Sequence, residues 1–424
     1  SALEKDDEAL EMAERTLEQM YRGGIFDHIG GGFSRYSTDA KWLIPHFEKM
    51  LYDNALLAWV YTEAFVKTKR LLYRRVAEKT INYVLAELSE PSGGFLCGQD
   101  ADSEGVEGKY YAFTPEEIKG VLGDEQGEEY CRRFDIGEEG NFEGRSVPNL
   151  LTCESYETEE PIISELTKKL YGYRLSRTSL NKDDKVLTSW NALMIIALAR
   201  AGRAFHDEHY LDAAEKAAKF IFANLTDDKG NLKIRWKDGQ AAQDGQLDDY
   251  AFLGLACLEL YRAGFDTSYF VRATELSKKM DELFLDEEGG YYMYSKQAEQ
   301  LITRPKPVYD GAIFSGNSAA ALLLTGDAEP VARAVAEELG ITQARVDGLK
   351  SSPDPAIQRF LGVGEDLGKS LGLDREWAAR AVKAVGNYGE IFNRNVGADS
   401  PLKLPRGLNA QWNKGGLLYA QPLR

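Results

Sequence analysis

The feature that most constrains the fold is an alternation of two kinds of helix. One kind is apolar almost all round, and the other carries an apolar stripe at helical spacing. The predicted pairs are 52–66 with 73–88, 190–201 with 210–225, and 250–261 with 269–284. A helix without a polar face has to be buried on every side, whereas a striped helix buries one face. The sequence therefore predicts inner helices wrapped by outer ones.

A glycine-containing loop recurs beside these helices. Its copies are GGIF at 23–26, after a predicted helix at 8–20, then PSGGF at 91–95, DDKGN at 227–231 and DEEGGY at 286–291. Glycine supplies the positive φ of a tight turn, and the alternating residues at 232–236 and 291–294 predict short strands. Repetition of this kind indicates a repeat architecture. We predict an all-α (α/α) toroid of helical hairpins with short β-hairpins in its loops.

The inner helices open on polar residues. The openings are Asp53-Asn54, Trp190-Asn191, Asp248-Asp249-Tyr250 and Gly316-Asn317. One interpretation is N-capping, which stabilises a helix by about 1 kcal/mol over alanine. The other follows from the ring, in which inner helices point the same way and their openings converge on one rim. That rim is the predicted pocket.

The richest polar segment precedes the first inner helix. Two of the four histidines, His28 and His46, lie there with Arg35, Glu48 and a run of three glycines. Such a loop lets the backbone approach a ligand closely while histidine, glutamate and arginine reach in. The glycine spacing does not fit a phosphate-binding loop.

The acidic segment QDADSEG at 99–105 has two interpretations. It is either a solvated turn, or a segment from which Asp100 or Asp102 faces the pocket as acid, base or hydroxyl acceptor. Its spacing does not match a calcium loop. Glycosidases need two carboxylates roughly 5–5.5 or 6.5–9.5 Å apart, whereas epimerases need proton-transfer groups, commonly histidines. The sequence alone does not choose among the pairs.

Longer motifs carry a family resemblance over residues 8–322. They include GGIFDHIGGGFSRYSTDAKWLIPHFEKMLYDNALLA, GGFLCGQDADSEG, EEGNFEGR, DDKVLTSWNALMIIALARAGRAF, LDDYAFL and RPKPVYDGAIFSGNSAA. As a set they resemble the YyaL family of thioredoxin-containing proteins, also called spermatogenesis-associated. The resemblance implies a six-hairpin glycosidase-like (α/α)6 toroid, related in shape to N-acylglucosamine 2-epimerase and glycoside hydrolases. Members of the family also carry an N-terminal thioredoxin-like domain, which we do not find in this sequence.

The end of the chain is of a different kind. Residues 341–424 hold 12 Lys+Arg and 8 Asp+Glu, a net charge of +4, while the other 340 hold 39 and 60, a net charge of -21. From about residue 337 the sequence resembles the C-terminal end of general L-amino-acid-binding periplasmic proteins. We predict a toroid domain at 1–325 and a mostly helical tail at 326–424, with a helix at 375–393. The tail is a fusion, a sequence assembled from more than one source, or a segment recruited to complete the toroid.

Composition excludes several functions. The net charge of -17 argues against nucleic-acid binding. The four cysteines have no metal-ligand or dithiol spacing, so we expect no metal and no cofactor. A signal-peptide pattern and a membrane-spanning apolar run are both missing, and we expect a cytoplasmic protein with no membrane partner and a small-molecule, carbohydrate ligand.

The predicted function is that of a glycoside hydrolase or a sugar epimerase or isomerase, with its pocket at the N-terminal ends of the inner helices. Two alternatives are a non-catalytic scaffold of a thioredoxin-containing protein and, for the tail alone, an amino-acid-binding fragment. The predicted catalytic residues are His46, Asp53, Asp102 and Asp248. The predicted substrate-binding residues are His28, Arg35, Glu48, Asp100, Trp190, Asn191, Asp249 and Tyr250.

Overall fold

The protein is described here from a computed structural model, in which residues 7–299 and 302–326 are described. The chain divides between Gln243 and Asp244 into two compact units. The predicted domain boundary at 325/326 lies at the edge of the described residues and stays a prediction. The predicted tail helix at 375–393 lies outside them.

The first unit contains eight described helices and the strands that join them. The helices are α1 (Asp7–Arg22), α2 (Leu51–Thr68), α3 (Leu71–Glu87), α4 (Pro115–Leu122), α5 (Asp124–Arg133), α6 (Pro161–Arg177), α7 (Thr188–Phe205) and α8 (Glu208–Asn224). The strands are β1 (Tyr36–Ser37), β2 (Pro45–His46), β3 (Lys49–Met50), β4 (Gly98–Gln99), β5 (Asp102–Ser103), β6 (Val106–Glu107), β7 (Lys182–Asp183), β8 (Val186–Leu187), β9 (Lys233–Lys237) and β10 (Gln240–Asp244), which ends at the unit boundary.

Helix α7 shows why the sequence predicts inner helices. Its apolar residues occur on every face, and thirteen of its eighteen residues are buried. It packs against α2 on one side and against its hairpin partner α8 on another, while α2 packs against α3. The second unit repeats this plan, with α9 (Leu247–Gly264) packed against both α10 (Thr267–Phe284) and α11 (Gly316–Gly326). The predicted all-α class of helical hairpins with short strands in the loops is confirmed.

The repeated loop is also confirmed. One bridge closes the turn in three of the predicted copies: Ser89 to Phe95, Thr226 to Leu232 and Leu285 to Tyr291. At the first copy the bridge joins Phe26 to Phe33, so the turn lies at 27–32, just after the predicted 23–26. The strand predicted at 232–236 is present as β9. The strand predicted at 291–294 is wrong, because the Met293 N–H donates to Pro305 O and its carbonyl accepts from Leu247 N, so the backbone pairs with two other segments.

Two parts of the first unit were not predicted. Helices α4, α5 and α6 form an insertion between the α3 hairpin and α7, and α4 begins with a capping box of Thr114 and Glu117. The strands β3, β4 and β7 form one antiparallel sheet, in the order β3-β4-β7. This sheet joins the polar segment before α2, the acidic segment at 99–105 and the polar strand β7 ahead of α7, because Lys49 pairs with Gln99 and Gly98 pairs with Asp183.

Candidate functional site

The centre of the candidate site is His46, at the end of β2. Its Nε2 lies 3.1 Å from Glu48 Oε2, and its Nδ1 lies 3.1 Å from Glu107 Oε1. Strand β1 pairs with β2, so that Tyr36 lies opposite His46 with the two ring centroids 5.2 Å apart. The side chains of His46 and Glu48 are each about 30% exposed. The imidazole is therefore held in one orientation and remains within reach of solvent.

Arg35 joins this cluster to the start of α2. Its Nη1 lies 3.4 Å from Glu48 Oε2, and its backbone N–H donates to Glu48 O at 2.9 Å. The guanidinium also shares a hydrogen bond with the Tyr52 hydroxyl, and burial raises the pKa of Tyr52.

Asp53, next in the first turn of α2, has the most perturbed carboxyl group of the site. Burial raises its pKa to about 7; nearby Glu48 adds to the rise, and Arg35 and a hydrogen bond from Tyr52 oppose it. Its Oδ2 is buried and has no hydrogen-bond partner among the described residues. A carboxyl group in this state holds a proton near neutral pH, which is what a general acid requires.

Trp190, in the first turn of α7, packs edge-on against Tyr52 with ring centroids 4.7 Å apart. The N-terminal ends of α2 and α7 therefore meet, as predicted for inner helices. Together the two rings and the exposed Tyr36 give the site an aromatic component.

The hairpin of β5 and β6 supplies the carboxylate on the far side of His46. Glu107 lies on β6, directly opposite Asp102 on β5. Both residues are exposed, and the Asp102 side chain has no hydrogen bond or ion pair among the described residues. Asp100 is exposed as well, and its backbone N–H donates to Asn181 O. The acidic segment is therefore a solvated hairpin that carries Asp102 beside a site residue.

Behind the site lies a buried ionic network. Asp27 accepts from Lys49 Nζ at 2.7 Å and from Arg174 Nη1 at 2.8 and 2.9 Å, and its Oδ1 also accepts from the N–H groups of Ile29 and Gly30. The three charged side chains are between 1% and 7% exposed. Lys49 Nζ further donates to Gly31 O at 2.7 Å. The network thus fixes the glycine run in front of Arg35 to the strand that follows Glu48.

The pKa values of this network follow from burial and charge together. Burial opposes ionisation of Asp27, but Arg174 and Lys49 outweigh it and hold its pKa well below the usual range. Burial and the neighbouring Arg174 lower the pKa of Lys49 to about 8, against the pull of Asp27.

His28 does not join the site. It is buried, with Nε2 3.2 Å from Gly23 O, and its ring packs against Tyr21, Phe26 and Phe134. Burial lowers its pKa to about 3, so that it is a neutral core residue. The prediction that it contacts the ligand does not fit this position.

Asn191 has a structural role, and neither of the two interpretations of its position, ligand binding or N-capping, fits the structure. The residue is fully buried. Its Oδ1 accepts from Phe95 N at 2.7 Å, while its Nδ2 donates to Phe95 O and to Leu187 O, each at 2.9 Å. Asn54 makes the same three bonds, to Phe33 and to Met50 O. In the second unit Asn317 bonds Tyr291 twice and Pro307 O once. We call these three residues the asparagine clamps.

Three predicted residues lie in the second unit, at the start of α9. Asp249 is buried and completes a capping box, since the Gln246 N–H donates to its Oδ2 at 2.8 Å. Tyr250 is buried against Phe284. Asp248, also in the first turn of α9, packs against Gly316 at the start of α11. Burial raises the pKa of Asp248, and a hydrogen bond from the Gly316 backbone opposes the rise. Asp249 and Tyr250 are thus structural, and Asp248 stays a candidate within its own unit.

Sequence reasoning missed Glu107, Tyr36 and Tyr52 as site residues, and the whole Asp27–Lys49–Arg174 network. Glu107 has a local signal, because a hairpin turning at Glu104-Gly105 places it opposite Asp102. Arg174 has none, since it lies 147 residues from Asp27.

Other features of the described residues do not provide a second site. A surface depression of about 360 Å³ beside α8 is lined by Ser92, Asp212, Glu215, Lys216, Lys219, Phe220, Ala223 and Asn224. None of the predicted site residues lines it. Within residues 7–299 and 302–326, no cluster of three or more His, Cys, Asp or Glu side chains is placed to hold a metal ion. No helix in these ranges is long and apolar enough to cross a membrane.

Comparison with known proteins confirms both resemblances, of the larger part of the chain to spermatogenesis-associated proteins and of a shorter segment to amino-acid-binding periplasmic proteins. No family model matches. The chain is 35% identical over 358 residues to spermatogenesis-associated protein 20 of Mus musculus and 33% identical over the same length to that of Homo sapiens. Each alignment covers 74% of this chain, and 45% and 46% of the relative. The chain therefore spans about half the length of the curated relatives it matches.

A separate segment of 91 residues is 63% identical to the general L-amino acid-binding periplasmic protein AapJ of Rhizobium johnstonii, and covers 21% of this chain and 27% of that protein.

Solved structures of low sequence identity also align with the chain. A sugar epimerase from a ruminal bacterium aligns with a TM-score of 0.47 at 14% identity, covering 91% of this chain and 87% of that one. The cellobiose 2-epimerase of Spirochaeta thermophila aligns with a TM-score of 0.45 at 13% identity, covering 88% and 84%. An unsaturated glucuronyl hydrolase specific for heparin aligns with a TM-score of 0.45 at 13% identity, covering 77% and 70%.

Proposed function

We propose that the first unit is a carbohydrate-active, proton-transferring site, with His46 as the base and Asp53 as the acid. One observation carries the proposal: an imidazole held on both sides by carboxylates lies in the same cluster as a carboxyl group whose pKa is raised to about 7. Proton transfer at neutral pH requires one group that accepts a proton and another that donates one, in different surroundings that keep their protonation states different.

The chemistry that fits these groups is epimerisation or isomerisation. His46 would take the proton from the carbon next to the carbonyl group of an open-chain sugar, while Asp53 gives its proton to the carbonyl oxygen. The product of that step is an enediol. The protonated His46 then delivers the proton to the neighbouring carbon while Asp53 takes a hydroxyl proton, which gives the isomer. Delivery to the opposite face of the original carbon gives the epimer, and protons and electrons balance in both cases.

Glu107 is the partner that a substrate would displace from His46. It is the more exposed of the two flanking carboxylates, at 48% against 31% for Glu48, and it lies on a two-stranded hairpin. Glu48 is anchored by Arg35 as well as by His46. Its role is to orient the ring and to stabilise the imidazolium that forms, as carboxylates do for catalytic histidines.

A sugar fits the remaining surroundings of the site. Carboxylate oxygens accept hydrogen bonds from hydroxyl groups, and exposed aromatic rings such as Tyr36 pack against the apolar face of a sugar ring. Hydrolysis is the less favoured reaction, because Glu48 and Glu107 both bond His46 and neither is free to act as a nucleophile beside Asp53. A scaffold without catalysis would not require a solvent-accessible imidazole held between two carboxylates.

The test begins with binding and proceeds to exchange. The full chain is screened against aldoses, ketoses and disaccharides for a rise in melting temperature. Sugars that stabilise it are then incubated in D2O and followed by NMR for deuterium at carbon and for new sugar signals. His46→Ala and Asp53→Asn should each slow exchange by about 100-fold or more, the usual contribution of general acid–base catalysis.

His209→Ala is the matched control, because His209 is exposed in the first turn of α8 and none of its ring contacts or hydrogen bonds involves a site residue. Stabilisation by sugars without exchange, or exchange unaffected by His46→Ala, would exclude the proposed mechanism. A lack of response to any sugar would favour the scaffold.

A further inference from the structure

The cationic and imidazole hydrogen-bond donors of the site are already engaged. Both ring nitrogens of His46 face carboxylates, and the Arg35 guanidinium bonds Glu48 and Tyr52. The neighbouring lysines are paired elsewhere: Lys109 with Glu104, Lys185 with Asp183, and Lys182 with Glu87. A ligand therefore meets few donors.

The acceptors, by contrast, are partly free. Glu48 uses only Oε2 and Glu107 only Oε1 in hydrogen bonds within the described ranges. Asp102 is exposed, and neither of its carboxylate oxygens is engaged by another described residue. A ligand that binds in this place has to bring donors.

The charge of the cluster agrees with this count of donors and acceptors. Glu48, Glu107 and Asp102 are three carboxylates against the one guanidinium of Arg35, so an excess of negative charge remains even when His46 is protonated. Moreover, Asp102 and Glu107 lie directly opposite each other on β5 and β6. Like charges at opposed positions of an antiparallel pair destabilise it. A cation bound between them would relieve that repulsion.

We propose that the site selects a sugar that carries a free, protonated amino group, held by Glu107 and Asp102. This specificity rests on the proposed function. An ammonium group supplies up to three donors and a positive charge to carboxylates that have free oxygens. A neutral or N-acylated sugar lacks the charge, and a uronic acid adds a carboxylate to a site that already has an excess of them.

The experiment compares four ligands that differ at one substituent: glucosamine, glucose, N-acetylglucosamine and glucuronic acid. Their affinities for the full chain are measured by calorimetry at about pH 6.5, below the usual pKa of an amine. We expect glucosamine to bind about fivefold or more tightly than glucose, as expected for an ionic contact in partly solvated surroundings. Glucuronic acid should bind most weakly. The preference should shrink from about 20 mM to about 300 mM salt, because salt screens exposed charges.

Asp102→Asn tests the assignment directly and should bring glucosamine to the affinity of glucose while leaving glucose binding in place. Asp184→Asn is the matched control, since Asp184 forms an exposed pair with Lys237 at 2.6 Å. Equal binding of all four sugars, or stronger binding of glucuronic acid, would overturn the specificity and leave the proposed function standing. A lack of binding by any of them would overturn both.

Discussion

The buried network of Asp27, Lys49 and Arg174 makes an asymmetric prediction. It contains one carboxylate and two cations, all at most 7% exposed. Asp27→Asn leaves two buried cations without a counter-charge, whereas Lys49→Met leaves the neutral pair of Asp27 and Arg174. Loss of one partner of a buried ion pair typically costs about 3–5 kcal/mol because an uncompensated charge stays behind. The two substitutions should therefore differ greatly in effect.

The structure sets the expected sizes. Asp27 faces both cations, so Asp27→Asn should lower the free energy of unfolding by about 5 kcal/mol, at the upper end of that range. Lys49→Met removes the donor to Gly31 O, and one unsatisfied buried acceptor costs about 1–3 kcal/mol. Methionine fills the volume of the lysine stem, and the repulsion between Lys49 and Arg174 disappears. We therefore expect a loss of about 1–2 kcal/mol for Lys49→Met.

Urea unfolding followed by circular dichroism measures both losses. Hydrogen exchange of peptides that cover 27–33 and 161–177 assigns them to the network rather than to the rest of the chain. Asp184→Asn, which removes an exposed carboxylate, is the control and should change stability little. A loss in Lys49→Met as large as that in Asp27→Asn would refute the reasoning from charge balance.

Three further predictions concern single residues. Asn191→Ala should lower stability by about 2–4 kcal/mol in urea unfolding, because it leaves the buried N–H and C=O of Phe95 without partners; a loss below 1 kcal/mol would contradict the clamp. Asp53, whose folded pKa of about 7 exceeds its unfolded value of about 3.9, contributes stability that is present below about pH 4 and is lost as the pH rises through 7. Thermal unfolding at several pH values should therefore show Asp53→Asn gaining on the wild type by about 1–2 kcal/mol between pH 4 and 8, after discounting the shift for partial exposure; parallel curves would contradict it. Gly32→Ala should destabilise the protein, because Gly32 has φ of +77° and an added Cβ would lie 2.3 Å from the Tyr83 ring; an unchanged melting temperature would show that the loop yields.

The sequence predicted the helices well because their signal is local. Helix α7, for example, is apolar on all faces within eighteen residues, and that pattern alone requires burial. The glycine loops were predicted for the same reason, since a turn is encoded in about five neighbouring residues. His46, Arg35 and Glu48 were found because they lie within thirteen residues of each other in one polar segment.

Contacts between distant segments could not be predicted in this way. The bond between Asn191 and Phe95 joins residues 96 apart, and the sequence does not show which loop an asparagine will meet. Asn191 therefore looked like a cap or a ligand contact, although it is neither. Arg174 lies on an inserted helix with no motif around it, so its role in holding Asp27 appears only once the chain is folded.

The asparagine clamps have a consequence for how such a chain can change over time. Each clamp holds its loop by one backbone N–H and one backbone C=O of an aromatic residue, and does not touch the side chain of that residue through a hydrogen bond. The recognition thus depends on where the main chain passes and needs a specific residue only where that path requires glycine, as at Gly32 with φ of +77°. The loops GGGF, PSGGF and EEGGY differ ahead of their shared Gly-Gly-aromatic ending, and each is held by the same two backbone bonds. New loop sequences, and with them new chemistry at the helix ends, can be tried without losing the attachment.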